Sequence, residues 1–465
     1  MKKILAAVAV FMMTVVNAQA GGILTNTNQS VAFLKNPARD AAIGLDGVYS
    51  NPAGVIFMPE GFHIALNWQY AHQTRTITST NPAFSMGKKN DGPVKEFEGV
   101  ADAPVIPSLQ VAYNKDNWSI QLNLSVPGGG GSCEFANGLG SFEGAVGSIA
   151  STLSKLPAPA TALGYDMDSY MKGRQYYYGV QVGAAYKVYP NLSVYGGLRM
   201  LYGDATYKAS ISNIQVKTAS GYVDFGDYLQ AITPTAKALG MGAAIEELQK
   251  YSEGVNLLCN QDGVGFAPIV GVDWKYRNFN FAAKYEFKTQ IRMKNESTVN
   301  KAHQIDAVNK FRDGEKVNED APALLTVGAQ WMPIDDVRLN VGWHHYFDKQ
   351  ANWYKESQEL LGHDTNEFLA GVEWDLTDKL NVSTGTQLTR YGLTDAYMND
   401  MSFVTNSYSI GFGFSYKVKP DITLSAAYFQ TMYDKYNRTD YPQAGVSDTF
   451  TRTNRVLGIS CQLDL

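Results

Sequence analysis

From residue 61 to its end the chain repeats one pattern, and that pattern limits what it can fold into. About ten residues alternate between apolar and polar, a short polar turn follows, about ten more alternate, and a long loop comes next. After Arg277, the residues Phe279, Phe281, Ala283, Tyr285, Phe287 and Ile291 alternate with Asn280, Ala282, Lys284, Glu286, Lys288 and Arg292. At the far end Leu457, Ile459, Cys461, Leu463 and Leu465 alternate with Gly458, Ser460, Gln462 and Asp464. A period of two puts each set on its own face of a β-strand. A soluble sandwich would have to bury Lys284, Glu286, Lys288 and Arg292 together or expose the aromatic set. Lipid on one face and a wet lumen on the other suits both.

Fourteen such strands are expected, near residues 61–75, 104–114, 117–127, 174–189, 191–204, 264–277, 278–293, 322–332, 336–348, 366–377, 379–390, 404–418, 421–434 and 452–465. Six connections are tight and seven are long, and the two lengths alternate. An even strand number, short turns at one end and long loops at the other mark a bacterial outer-membrane barrel. At 465 residues a soluble chain would hold about three domains. Only 18% of the residues are charged, however, and 28 are tyrosines. No apolar run after the N-terminal Ile4–Val16 reaches the roughly 18 residues of a membrane helix. The expected fold class is therefore all-β, a fourteen-stranded antiparallel transmembrane β-barrel spanning 61–465.

Around the tight turns cluster Tyr113, Trp118, Tyr186, Tyr189, Trp274, Tyr276, Phe279, Trp331, Trp374 and Tyr416. Such a girdle belongs at a membrane–water boundary, where one part of the ring stays dry and another finds water. The two largest loops, about 128–173 and 205–263, carry helix-like spacing in Gly144–Leu156 and Tyr228–Tyr251. Helices there would either catch hydrophobic molecules or pack on one another. Cys133 and Cys259 fall in these loops, and export would allow a disulfide between them.

Residues 1–20 read as a signal peptide: Lys2 and Lys3, the apolar Ile4–Val16, then Asn17-Ala18-Gln19-Ala20 with an A-x-A cleavage pattern. Residues 21–60 lack strand alternation but carry Ile43, Leu45, Val48, Tyr49, Val55, Ile56, Phe57 and Met58. A dangling tail would be more polar, so folding into the lumen is expected. Asn51-Pro52 sets a turn there, and Ala53-Gly54 lets backbone approach the wall closely.

Asn51-Pro52-Ala53-Gly54 in this segment, Arg39-Asp40-Ala41-Ala42 before it, and Ser125-Val126-Pro127-Gly128-Gly129 at the end of the third strand resemble the FadL/TodX outer-membrane transporters of long-chain fatty acids and aromatic hydrocarbons. Family members often carry Pro-aromatic-Gly at the last place, where this chain has Pro127-Gly128-Gly129-Gly130-Gly131. The resemblance implies an N-terminal hatch over 21–60 inside the barrel, gated at Asn51, Pro52, Ala53 and Gly54. It also implies a lateral opening at Pro127, Gly128 and Gly129, through which substrate would pass into the membrane.

No GxSxG, Walker A, HExxH or GxGxxG motif occurs, so no enzyme and no cofactor is expected. His344 and His345 are strand neighbours facing opposite sides, inward and outward, which keeps them from sharing a metal. The expected ligand contacts are Leu45, Val48, Tyr49 and Phe57, with Lys284 and Arg338 for a head group. Inward charges at Arg199, Lys284, Glu286, Lys288, Arg292, Arg338 and Glu373 would mostly brace the barrel. The expected function is passive, hatch-gated uptake of hydrophobic molecules such as long-chain fatty acids. A structural or adhesion barrel acting through its loops and a general porin are the alternatives. Expected partners are a hydrophobic small molecule or lipid, outer-membrane lipid and lipopolysaccharide. The barrel would be a monomer in a Gram-negative outer membrane with its N-terminus periplasmic. The charge after cleavage, 37 − 44 = −7, offers nothing to nucleic acid.

Overall fold

The computed structural model describes Thr25, residues 30–89, 91–299 and 310–465. The expected signal peptide lies outside the described residues. Fourteen strands form a closed antiparallel barrel: β1 (Gly61–Thr80), β2 (Val94–Lys115), β3 (Trp118–Phe135), β4 (Gly164–Tyr189), β5 (Leu192–Thr218), β6 (Val255–Tyr276) and β7 (Phe279–Glu286, resuming as Arg292–Val299), followed by β8 (Leu324–Ile334), β9 (Val337–Tyr346), β10 (Thr365–Asp375), β11 (Leu380–Arg390), β12 (Ser407–Lys419), β13 (Ile422–Tyr433) and β14 (Ser447–Asp464). The barrel closes where β1 pairs with β14, from His63 opposite Asp464 to Thr80 opposite Ser447. All six tight turns connect the strands that the alternation assigns to them. Crossing a bilayer takes only about 9–11 residues per strand. The 26 residues of β4 and 27 of β5 carry the wall well beyond it.

The outward face is apolar. Leu66, Ile120, Phe266, Val341, Phe412 and Ile459 are all exposed. Near the tight turns Trp118 lies 4.6 Å from Tyr186, and Phe279 stacks on Trp331 at 6.0 Å. This is the aromatic girdle. The inward face divides into two zones. Toward the tight turns it is lined by buried amides and hydroxyls, among them Asn67, Gln110, Gln121, Gln181, Ser193 and Asn280. Toward the loops it is apolar: Ile77, Phe97, Met171, Leu201, Ile291 and Met293 meet loop residues Phe84, Leu139, Trp353, Met398 and Phe403 in one continuous cluster.

Two expectations are corrected here. Ile291 was placed on the lipid face and Arg292 inward, but β7 breaks at Phe287–Ile291, where Thr289 bridges to Ala321. The break shifts the alternation by one, so Ile291 is buried and Arg292 is exposed. The disulfide is also absent, because Cys133 and Cys259 are both free. They lie on β3 and β6 rather than in loops. With β4 and β5 between them, three strand spacings of about 4.8 Å separate their backbones by roughly 14 Å, twice a disulfide's reach.

Strand structure takes up much of both expected loops. The remainder holds α2 (Gly140–Leu153), α3 (Phe225–Ala238) and α4 (Gly242–Gln249), while a shorter helix, α1 (Val31–Lys35), opens the N-terminal segment. Ile149, Leu153, Phe225, Leu229 and Ile245 pack in one cluster, so these loop helices bury their apolar faces on one another.

Candidate functional site

The N-terminal segment, residues 30–60, holds only α1 and two short 3-10 helices, Leu45–Val48 and Gly54–Phe57, so many of its backbone carbonyls need donors from elsewhere. Inward-facing side chains supply them. Gln181 donates to Val48 O at 2.9 Å, Gln121 to Pro52 O at 2.7 Å, Ser193 to Ala53 O at 2.6 Å, Asn114 to Val55 O at 2.8 Å and Asn280 to Ala41 O at 2.8 Å. Asn67 accepts from Val31 N at 3.0 Å. These contacts explain why the lumen near the tight turns is polar: amides and hydroxyls line it beside the charges that the alternation points inward. On β8–β12 and β14 glycine does the corresponding work. A Cβ on Gly342 would overlap Asp40, one on Gly371 would overlap Asn36, and one on Gly411 would overlap the Leu34 carbonyl.

Asn51 lies at the centre of the segment. Its Nδ2 donates to Asp273 Oδ2 at 2.6 Å and to Ala42 O at 3.3 Å, and its Oδ1 accepts from Gly54 N at 3.2 Å. A Cβ on Gly54 would overlap Asn51 and meet Asp273 Oδ2 at 2.8 Å, so only glycine fits. Pro52 and Ala53 present their carbonyls to β3 and β5, as given above.

Charged groups tie the same segment to the wall. Arg39 pairs with Asp46 at 2.7 Å and with Glu373, which also receives Arg338 at 3.2 Å. Arg338 reaches Asp375 at 2.7 Å as well. Lys284 pairs with Glu286 at 2.6 Å and donates to Tyr49 O at 2.8 Å, while Arg199 pairs with Glu286 too. His344 bridges Asp40 and Glu367, each at 2.9 Å, and His345 turns to Asn366 on the opposite face.

Of the six residues expected to meet a ligand, Tyr49 and Lys284 line a narrow space of about 40 Å³ between the segment and the wall, with Arg39, Asp40, His344 and Glu367. Lys284 and Arg338 already hold carboxylates. Leu45 and Val48 pack with Val55, Ala65 and Ala112 against the wall. Tyr49 lies over Arg199 and Lys284 at 4.7 and 5.0 Å, and Phe57 sits under Lys187 and Lys275 at the tight-turn rim. None of the six lines the cavity described next.

The wall itself is interrupted between β2 and β3. Their ladder runs from Lys115–Trp118 up to Leu109–Leu124 and resumes only at Ala101–Cys133. Across the gap Asp102–Ser108 and Ser125–Ser132 do not pair with each other. On its other side β3 pairs with β4 up to Ser125–Gly179 and again from Gly131–Gln175 onward, with only the pair Gly128–Tyr177 between. The cause is in the sequence: Pro104, Pro107 and Pro127 lack the N–H a ladder needs, and four glycines follow Pro127. Gly129 has φ +113°, and a Cβ there would overlap the Gln175 carbonyl. Behind the gap is a cavity of about 150 Å³. Ile106, Pro127, Gly128 and Gly129 bound it on the wall side, and Tyr391, Tyr433 and Arg452 on the inner side. Thr25 reaches the same place, hydrogen-bonded to Tyr391 at 2.6 Å. Pro107 stands opposite Trp68, whose outward neighbours are apolar, and Asp102 opposite His72, to which it hydrogen-bonds at 2.7 Å. The gap therefore straddles the upper edge of the apolar belt.

A second cavity, about 40 Å³, opens among the loops between α2, β5 and α3, lined by Val146, Ile149, Ile214, Val216 and Phe225. Among the described residues no group of three or more His, Cys, Asp or Glu is placed to hold a metal.

No protein family and no curated protein matches the chain by sequence. Solved structures do match. A FadL homologue from Pseudomonas aeruginosa superimposes with a TM-score of 0.65 at 13% identity, over 95% of this chain and 99% of that one. The toluene transporter TodX of P. putida gives 0.59 at 13% identity over 97% and 99%. The toluene transporter TbuX of Ralstonia pickettii gives 0.54 at 15% identity over 94% and 98%. The chain thus has the fourteen-stranded barrel fold of the FadL homologue and of TodX, over 95% and 97% of its length.

Proposed function

We propose that this barrel provides hydrophobic molecules, long-chain fatty acids or aromatic hydrocarbons among them, with a passive route into the outer membrane. The observation that carries the reading is the gap between β2 and β3. A barrel normally leaves no unpaired edge, because unsatisfied backbone facing lipid costs several kcal/mol per group. Here three prolines and four glycines remove donors or bend the strand where the wall parts. The cavity behind the gap opens at the height where lipid begins. Solute caught at the apolar loop pocket would enter the apolar mouth, settle behind Pro127–Gly129 and leave sideways. Residues 30–60 fill the polar zone below and keep water and ions from following. In this reading Asn51, Pro52, Ala53 and Gly54 are the point at which that segment would shift. The tight hydrogen bonding of the segment to the wall disfavours a general porin.

The test is uptake into lipid vesicles or cells by a variant with Pro104, Pro107, Pro127, Gly128 and Gly129 replaced by valine or threonine, so that the ladder can close. Uptake of a fluorescent long-chain fatty acid and of toluene is expected to fall toward the level of barrel-free membranes, with the barrel still folded. Undiminished uptake would refute the lateral route. Deleting residues 23–50 is expected to produce an ion leak, and unchanged conductance would remove the gating role.

A further inference from the structure

The break in β7 also reshapes the outer surface of the barrel. Before it, Tyr285 and Phe287 face outward; after it, Arg292, Lys294 and Glu296 do, while Ile291, Met293 and Asn295 are buried. A short strand, Lys316–Asn318, pairs with this outer part of β7 and sets Lys316 directly opposite Lys294 and Asn318 opposite Arg292. Val317 and Met293 point inward together and are buried, so both lysines belong to the outward face. Like charges directly opposite on one face of a sheet repel, and a spacing of two residues keeps Arg292 beside them. All three side chains are exposed, and among the described residues none of them forms an ion pair. On β4 the outward cations are neutralised instead: Lys172 holds Glu134 at 3.0 Å and Arg174 holds Asp204 at 2.6 Å. One acid, Asp262 of β6, stands across from Lys294 on its other side, without closing to an ion pair. Glu296 and Glu315 lie farther from the lipid.

Immediately toward the bilayer are Val264, Phe266 and Phe287, all exposed on the apolar belt. Tyr285 packs edge to face on Phe287 at 4.9 Å and on Phe347 at 6.0 Å. The cations therefore stand at the height where lipid head groups begin, on the loop side of the belt, over an aromatic shelf for acyl chains. We propose that Arg292, Lys294 and Lys316 form a docking site for a bisphosphorylated glycolipid of the outer leaflet, the lipid A part of lipopolysaccharide. Charge complementarity and continuity with the apolar belt select this occupant. Cations on two strands that repel one another suit an anion seated between them, and together they engage two phosphates at once. Phosphatidylethanolamine brings an ammonium of its own to a cationic patch, and phosphatidylglycerol offers a single phosphate. Along the wall β7 is four strands from β3, so the site is separate from the β2–β3 gap and stands independently of the uptake route.

The experiment measures lipid binding to the purified protein in mixed micelles by microscale thermophoresis. The probes are a hexa-acyl diglucosamine with two phosphates, the same lipid without phosphate, and dioleoyl phosphatidylglycerol. Wild type is expected to bind the bisphosphorylated lipid at least about tenfold more tightly than either of the others. Each basic residue beside an anionic lipid is worth about fivefold in affinity. R292Q/K294Q/K316Q is therefore expected to weaken the bisphosphorylated lipid by at least about thirtyfold and to leave the phosphate-free lipid within about twofold. K294R/K316R, which keeps the charge, should stay within about threefold of wild type. D262N removes the neighbouring acid and should tighten binding by about threefold, a gain that a misfolded variant cannot give. Equal affinity for the lipid with and without phosphate, full affinity in R292Q/K294Q/K316Q, or no gain in D262N overturns the site. Phosphatidylglycerol bound as tightly as the bisphosphorylated lipid overturns the choice of occupant.

Discussion

Replacing Asn51 with alanine tests how the inner segment is held. Asn51 and Asp273 are both buried, and their 2.6 Å contact joins an amide donor to a carboxylate. A hydrogen bond to a charged group contributes about 1.5–3 kcal/mol. The longer bonds to Ala42 O and from Gly54 N add about 0.5–1 kcal/mol each. Asp273 would keep only Asn280, at 2.8 Å. The expected cost is about 2.5–5 kcal/mol of local stability, or a rise of roughly seventy- to five-thousandfold in the open population of the segment. Hydrogen exchange read by mass spectrometry should show the amides of 47–58 losing protection by that factor, while β12 exchanges as before. In an Asp273→Ala background the same substitution should cost only the backbone share, about 1–2 kcal/mol. A change in protection below about threefold, or costs that simply add in the double variant, would refute the account.

Three further expectations follow from other parts of the wall. Thiol titration of unfolded protein without reductant should count three free cysteines, and a count of one would restore the Cys133–Cys259 bridge. Gly129→Ala should lower the unfolding midpoint by the equivalent of about 1–3 kcal/mol, since φ is +113° there and Gln175 stands in the way; an unchanged midpoint would show that the gap relaxes freely. In the loops, burial and then Asp448 push the Asp400 carboxyl up to about 6. A raised folded value favours folding fully below the unfolded value of 3.8, and that stability is lost as pH rises through about 6. The start of α2, whose Ser141 N donates to Asp400 at 2.8 Å, should therefore exchange more slowly at acidic than at alkaline pH after intrinsic correction. Asp400→Asn should abolish the difference, and its persistence would assign the effect elsewhere.

Much of the barrel was legible because its physics is local. Alternation assigns each strand two faces, the turn residues set the connections, and Trp118, Trp274 and Trp331 announce the rim one strand at a time. Where the local rule fails, the reading fails. The shift at Ile291 comes from a break in β7 that depends on a bridge to Ala321, and no window of sequence around Phe287 contains that partner. A Cys133–Cys259 bridge was open because both fell in long loops of an exported chain, and only the strand order puts β4 and β5 between them. The inner segment shows the same limit. Asn51, Pro52, Ala53 and Gly54 stood out as a motif, but their partners Gln121, Ser193 and Asp273 are scattered over three strands. The glycines at 342, 371 and 411 gave one signal that could have been followed, recurring at inward positions of strands otherwise rich in side chains.

The two zones of the lumen bear on where an apolar solute can go. Above, Ile77, Phe97, Met171 and Leu201 offer it contact like that of a protein core. Below, the space is taken by residues 30–60, held to the wall by amides, hydroxyls and ion pairs and packed on it through Leu45, Val48, Val55 and Ile56. An alkyl chain forced downward would exchange apolar contact for polar groups at a loss of about 0.8 kcal/mol per methylene, or roughly 10 kcal/mol for a dodecyl chain. It would also have to break bonds such as Gln121 to Pro52 before it advanced. The gap between β2 and β3 lies at the border of the two zones, where the wall's own hydrogen bonds are already absent. Leaving sideways there breaks no ladder and delivers the chain to lipid, so for a long apolar tail the lateral path is downhill and the axial one is not. A small solute with few methylenes loses far less on the axial path, so the preference for the gap should steepen with chain length across a homologous series of substrates.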